Sequence, residues 1–226
     1  MAKLLIYQIV YGNNQRTEFT PFVNNSKQKL WRFEWNPMLE ICGNADWLPI
    51  PENGYLGIFS WKFQEKSGLT RDKITALLSS SISELEANID VFTACKPIQH
   101  NGYPSFMQWS EEVHKGIIYL LERCLWNIGA KYYHEPKHVV YANQFIATKA
   151  VYLDFINNWA KPSLELLEGE LWPIVNKDAG YQAGLPKREL KRLTGLDFYN
   201  YLPFVMERLF SQYLANNPEL KVKSLL

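Results

Sequence analysis

The chain predicts an α/β fold, a mainly parallel central sheet flanked by helices, with residues 1–226 as one domain. Three observations lead there. Residues 3–11 place Leu4, Leu5, Ile6, Ile9 and Val10 in a near-continuous apolar run closed by Gly12-Asn13-Asn14, as a strand covered on both faces requires. Strand-like and helix-like segments then alternate, which favours parallel strands joined by right-handed crossovers. At 226 residues, 47% hydrophobic and 15% aromatic, the chain is long enough for one sizeable core and short for two.

The first strand belongs inside the sheet. Residues 16–53, rich in Asn, Pro and Trp, show no sustained helical period and read as a long irregular connection with one short helix near residues 26–33. Residues 55–63 (YLGIFSWKF) form a second strand between Asn53-Gly54 and Lys66-Ser67-Gly68. Thr70 caps a helix whose Ile74, Leu77 and Leu78 give the 3-4 apolar spacing. Residues 89–94 are a third strand, closed by Lys96-Pro97. Ser110 caps a helix with Val113, Ile117, Ile118, Leu121, Leu125 and Ile128 on its buried stripe, Glu111 and Glu112 set against its dipole, and Gly129 at its end. Residues 139–147 are a fourth strand interrupted by Asn143, and residues 149–167 a helix in which Pro162 starts a new segment or bends the old one. Residues 168–195 read as loop. A last amphipathic helix opens at Pro203 and runs to about residue 215.

Several function classes fall away. With 24 basic and 23 acidic residues, the formal charge of +1 supplies no long-range field to gather nucleic acid, so no nucleic-acid partner is expected. Cys42, Cys95 and Cys124 are widely spaced, form no CxxC pair and read as buried thiols in a reducing, cytoplasmic compartment. The apolar N-terminal run is too short to span a bilayer. Walker A, GxGxxG and GxSxG sequences are missing. His134-Glu135-Pro136-Lys137-His138 spells HExxH, but Pro136 breaks the helix that would bring the two imidazoles to one face.

Candidate site residues are those whose polar groups stand where desolvation is costly. Asn88 and Asp90 fall on one side of an alternating strand, where they hold a hard divalent cation or act as turn and strand-entry residues. Trp61, Lys62 and Lys66 close the second strand, at the end where parallel strands bind ligands, and either stack a base and meet a phosphate or simply snorkel. His114, beside an apolar stripe, reads as a satisfied, half-buried histidine. Glu207 lies beside Arg208 at the edge of the last helix's apolar face, either as a surface acid or as a functional carboxylate.

In order, the apolar first strand, Gly57 to Phe63, Asp90-Val91-Phe92, the tract around His114-Lys115-Gly116, Tyr141 to Ile146 and Met206 to Phe210 resemble the small bacterial glycosyltransferase-like proteins of the GT-A superfamily found in capsule and lipopolysaccharide clusters. The resemblance implies a nucleotide-diphosphate-sugar donor at the carboxyl ends of the first strands and transfer, of hexosyltransferase type, to a hydroxyl of a glycan acceptor in surface polysaccharide synthesis. It aligns Asn88 and Asp90 with the superfamily's metal-binding Asp-x-Asp, Asn143 with a donor- or acceptor-facing strand residue, and Glu207 with the acid that follows, here the catalytic base. No true Asp-x-Asp occurs in this chain, so Mn²⁺ or Mg²⁺ held by Asp90 competes with a metal-free route in which Lys62, Arg71 or Arg188 meets the diphosphate. A cytoplasmic protein, peripheral to the inner membrane face, is the expected setting. The alternative is a non-catalytic carbohydrate- or protein-binding module on the same fold.

Overall fold

The computed structural model describes residues 4–11, 15–43, 50, 54–83, 89–95, 102–181 and 184–226. Its strands are β1 (Leu4–Val10), β2 (Thr20–Val23), β3 (Tyr55–Ser60), β4 (Val91–Thr93), β5 (Phe145–Thr148) and β6 (Val222–Ser224). They form one six-stranded sheet in the order β2-β1-β3-β5-β4-β6. β1 pairs in parallel with β2 and β3, and β4 in parallel with β6, while β5 runs antiparallel to both of its neighbours. Five strands therefore share a direction and β5 opposes them, so the sheet is mixed and mainly parallel.

The period of two sorts the strand residues between two apolar layers. Tyr7, Ile9, Leu56, Ile58, Val91, Phe145 and Ala147 face the larger layer, and Ile6, Tyr55, Phe59, Phe92 and Ile146 the smaller. The smaller layer is closed by α2 (Phe63–Ser67) and α3 (Arg71–Ser83), through Phe63, Ile74 and Leu78. The larger is covered by α1 (Trp35–Gly43), α4 (Phe106–Val113), α5 (Ile117–Asn127), α6 (Lys149–Asp154), α7 (Lys161–Glu168), α8 (Trp172–Val175) and α10 (Leu202–Asn216), with α9 (Lys187–Thr194) outside them. α10 is central: Phe210 stacks on Phe145 of β5 with ring centres 3.6 Å apart.

Several expected boundaries move. Residues 16–53 hold β2, a 3-10 helix at Leu30–Arg32 and α1, where one short helix was expected; β2 is a four-residue edge strand carrying Pro21, too short to show a period. The second strand ends at Ser60, because Phe63 folds back in α2 to stack on Phe59 at 3.8 Å. The single helix expected from Ser110 is two. Ser105 caps α4, and the chain breaks at Gly116 (φ 93) before α5, whose first amides are taken by the Glu111 carboxylate at 2.6 and 3.0 Å. Residues 139–144 form a turn, so the fourth strand shrinks to β5. A π-helical segment, Phe155–Ala160, precedes Pro162, whose ring cannot accept the regular ladder. The stretch at 168–195 contains α8 and α9, the latter anchored only by Leu190 and Thr194. α10 is buried on nearly every side rather than amphipathic. Trp35 belongs to the core, and Trp47 lies outside the described residues.

The three cysteines are free and buried, each thiol pushed up to about 12 by that burial. No helix among the described residues is long and apolar enough to cross a membrane.

Candidate functional site

Strand direction gathers the site. Ile9 is in register with Ser60, so Tyr11 and the Trp61-Lys62 pair leave β1 and β3 at the same end of the sheet. β5 runs the other way, which brings its first residue, Phe145, opposite Thr93 at that same carboxyl rim. The turn before it is tied to α10 by Ser211, whose hydroxyl accepts from the Val140 amide at 2.8 Å and donates to the Val140 carbonyl at 2.9 Å. One helical turn earlier on α10 stands Glu207. Between residues 202 and 214 it alone is not buried, so an otherwise apolar helix presents one carboxylate at the rim.

A second acid joins it from an unexpected direction. Phe33, a bulky residue, takes φ 50 and ψ −122 at the end of the 3-10 helix, a region that aromatic side chains avoid. Its carbonyl accepts from the Asn24 side-chain amide at 3.3 Å, and its ring stacks on Tyr199 at 5.5 Å and 13°. Both contacts hold the kink that delivers Glu34 to the start of α1, where the Glu34 carbonyl accepts from the Met38 amide at 3.1 Å. The Glu34 side chain acts electrostatically on Tyr11, Lys66 and Glu207.

Lys66, on α2, feels the charges of both acids. Crowding works to lower its ammonium pKa, but the charges of Glu207 and Glu34 outweigh that, and the net displacement is upward. The residue still reaches solvent. Burial, reinforced by Glu207, lifts the Glu34 carboxyl above its ordinary value against the opposing pull of Lys66. Burial and then Glu34 lift the Tyr11 phenol well above its own. Tyr181 and Tyr199 meet edge to face at 5.2 Å, and both act on Lys66 or feel it. An exposed lysine that feels the charges of two carboxylates can attract an anion to this rim.

The same rim holds strained backbone and some of the unpartnered buried atoms, others lying at Trp31, Tyr132, Tyr152 and Ser163. Ala142 (φ 53) and Asn143 (φ 54) are successive left-handed residues in the turn before β5. The buried Gln144 amide has no partner on either its oxygen or its nitrogen, and the Arg208 Nε has none. Arg208 itself is buried; one of its terminal nitrogens donates to the Phe204 carbonyl at 2.8 Å, and its guanidinium lies 5.8 Å from the Phe106 ring centre. Burial brings it down to about 10.

The expected site residues divide. Trp61, Lys62, Asn143 and Glu207 stand at the carboxyl rim, with the Lys62 ammonium 5.1 Å from the Trp61 ring centre. Asp90 does not. Thr148 and Lys149 at the end of β5 donate to the carbonyls of Asp90 and Gly54, which places Asp90 beside the start of β3, about 10 Å from the level of Thr93 and about 17 Å from that of Ser60 at a strand's rise per residue. There its carboxylate accepts from the Lys221 amide at 2.9 Å. Alternation fixes which face a strand residue takes, but not which end of the sheet it occupies, so Asp90 stands apart from Trp61 and Lys62. Asn88 lies outside the described residues. Arg71 opens α3 beneath the smaller layer, its amide held by Glu18 at 2.8 Å beside a hollow of about 360 Å³. Arg188 is exposed on α9, which packs on the 3-10 helix. Neither arginine belongs to the Lys66 cluster. Among the described residues no group of three His, Cys, Asp or Glu stands ready to hold a metal.

His114 fulfils its bland reading: buried, stacked on Phe204 at 3.9 Å, with Nδ1 2.8 Å from the Ala179 carbonyl. Residues 134–138 form bends, and the Glu135 carboxylate accepts from the Phe106 amide at 2.7 Å. Sequence reasoning missed Glu34, Tyr11, Tyr181 and Tyr199. The signal for Glu34 was Pro37, which first helical turns tolerate and which marks the start of α1.

No protein-family model and no curated protein matches the chain. Among solved structures it is similar to the apo structure of the bifunctional glycosyltransferase WbbM, with a TM-score of 0.55 and 14% identity, covering 98% of this chain and 44% of that one. The chain thus spans less than half the length of that protein. At this identity the likeness shows the fold alone, a glycosyltransferase-like mixed α/β arrangement with a six-stranded sheet.

Proposed function

We propose that this chain is a glycosyltransferase that moves a sugar from a nucleotide-diphosphate donor to a glycan hydroxyl at the carboxyl rim of its sheet. One observation carries the reading: Lys66, on which the charges of Glu207 and Glu34 act, follows β3 at the carboxyl end of a sheet with a glycosyltransferase-like fold. Glycosyl transfer builds negative charge on the departing diphosphate, and the Lys66 ammonium answers that charge without a metal. Glu207 takes the proton of the acceptor hydroxyl. Trp61, Tyr181 and Tyr199 offer faces for the base and the sugar ring. Surface polysaccharide synthesis on the cytoplasmic side of the inner membrane, on a GT-A arrangement, is the setting we favour, with Lys62 as an auxiliary cation.

The test is a thermal-shift screen with UDP-, GDP-, CMP- and TDP-sugars, with and without Mn²⁺, followed by a transfer assay with the donor that binds. A ligand that binds only the folded chain raises its melting temperature. The expected result is a shift that needs no metal and disappears in Lys66→Met. No shift with any nucleotide sugar would instead support a carbohydrate- or protein-binding module.

A further inference from the structure

Half of the residues of α9 are cations, and the proposed reaction uses none of them. Lys187, Arg188, Lys191 and Arg192 are all exposed. At 3.6 residues per turn they fill one arc of about 140°, turned away from Leu190 and Thr194, the residues that hold the helix to the protein. Lys187 and Lys191 stand four residues apart, as do Arg188 and Arg192, a spacing at which like charges repel. Among the described residues none of the four forms an ion pair that would relieve this. The patch continues onto the 3-10 helix against which α9 packs, where Lys29 and Arg32 both engage the Glu168 carboxylate. Set against Glu168, Glu189 and Asp197, these six cations leave the region three charges positive. The whole chain is only +1, so the remainder is net acidic.

We propose that this face of α9 docks on a bilayer surface rich in anionic phospholipid and holds the carboxyl rim beside it. Charge complementarity selects the occupant. A helix about 12 Å long with its cations on one side offers a short band of charge to a plane of headgroups, where each Lys or Arg adds to the attraction. With a formal charge of +1, the chain has little field to gather a polynucleotide from a distance. The position of α9 ties the patch to the proposed site. The Leu185 amide, just ahead of α9, donates to the Tyr199 hydroxyl at 2.9 Å, and Phe33, just after the 3-10 helix, stacks on the same ring at 5.5 Å. Tyr199 in turn lies 6.3 Å from Phe204 in the first turn of α10, one turn before Glu207. A docked α9 therefore keeps that end of α10 near the headgroups. The inference goes beyond the glycosyl-transfer reading and does not depend on it.

The experiment sediments the full chain with vesicles of phosphatidylcholine alone, or with about one-third phosphatidylglycerol, and measures the bound fraction. Wild type should bind the anionic vesicles and ignore the neutral ones. Its binding should fade as salt rises from about 0.1 to about 1 M, where the screening length falls from roughly 10 to roughly 3 Å. Lys187→Gln/Lys191→Gln should lower the partition coefficient roughly 25-fold, about fivefold per cation. A matched double variant, Lys131→Gln/Lys137→Gln, removes the same net charge at exposed lysines, the first of which stands by Asn216 at the far end of α10. It should bind within about twofold of wild type. All four side chains are exposed, so both variants should melt with wild type. Wild type that ignores anionic vesicles, or binds neutral ones equally, overturns the proposal. Equal losses in the two double variants do so as well, because the attraction would then be general and not that of α9. An RNA oligonucleotide bound through Lys187 and Lys191, without vesicle binding, would make α9 a nucleic-acid surface instead. The assay contains no nucleotide sugar, so its failure leaves the glycosyl-transfer reading standing, and failure of that reading leaves the docking face.

Discussion

The two ends of the sheet treat polar groups in opposite ways. At the amino end of β3, Asp90 accepts from Lys221, the Tyr55 hydroxyl donates to the Ile89 carbonyl at 2.6 Å, and Thr148 caps α6 through the Val151 amide at 3.4 Å. Each of these groups has an internal partner in regular backbone. At the carboxyl rim, Phe33, Ala142 and Asn143 are left-handed, Gln144 and Arg208 keep unpartnered atoms, and the charges of two acids act on one lysine. Buried polar atoms without partners and bulky residues at positive φ cost free energy, and chains retain them where something else uses them. A charged residue by itself therefore says little about function; what sets the rim apart is the pair of successive positive-φ residues, Ala142 and Asn143, in the turn before β5.

Glu207→Gln should break the contrast most severely. Loss of a positioned base lowers turnover by about 10²–10⁴-fold, while binding of the nucleotide sugar and the melting temperature change little. Steady-state kinetics beside a thermal melt checks this. Transfer at near wild-type rate would remove Glu207 from the chemistry and leave the rim as a binding surface.

His114 sharpens the comparison through pH. It is held neutral at the rim side of α4, brought down to about 4 chiefly by burial, with Arg208 adding to the effect and the Ala179 carbonyl opposing it. Because its folded pKa lies below the ordinary 6.5, the unfolded chain binds the proton first as pH falls. Stability from this group is therefore full above 6.5 and lost progressively towards 4, by at most about 3 kcal/mol. Urea unfolding of wild type and His114→Phe across that window should show the steeper fall in wild type. Parallel curves would mean that the imidazole is protonated in the folded chain as readily as outside it.

Asp90→Ala tests the opposite end. The lost charge-assisted hydrogen bond to Lys221 should cost about 1.5–3 kcal/mol, seen as a lower melting temperature, with nucleotide-sugar affinity unchanged once the protein is folded. A selective loss of metal-dependent transfer would instead give Asp90 a cation role.

This pairing also shows how far the sequence could be read. β1 and β3 were legible because two-sided burial writes a continuous apolar run, and α3 because Thr70 and Ile74 announce a capped stripe. β2 and β6, four and three residues long and largely uncovered, carry too few positions for a period to emerge. Glu207 stands out in the sequence because it is a lone acid among apolar neighbours. Glu34 was hidden by its position after a backbone kink at Phe33 that no side-chain pattern encodes, and the end of the sheet that Asp90 occupies was not legible because a strand's alternation carries no information about its two ends. Asn143 was read as an interruption inside a strand, whereas it forms a left-handed turn leading into one.

The smallest effect asks whether the strain of that turn belongs to the site. Ala142 at φ 53 has a β-carbon where glycine would have none, and relieving such a residue gains roughly 1–2 kcal/mol. Glycine also frees the unfolded chain, which returns about 0.5–1 kcal/mol. Ala142→Gly should therefore raise stability by roughly 0.5–1 kcal/mol, on the order of 1–4 °C in melting temperature for a chain of this length. The turn is linked to Cys95, whose sulfur accepts from the Tyr141 amide at 3.4 Å and feels Glu207. If the strained geometry positions the Glu207 rim, the extra freedom of glycine should slow transfer even as the melting temperature rises. A more stable protein with undiminished turnover would confine the working part of the rim to Lys66 and Glu207 and leave the turn as a chain reversal.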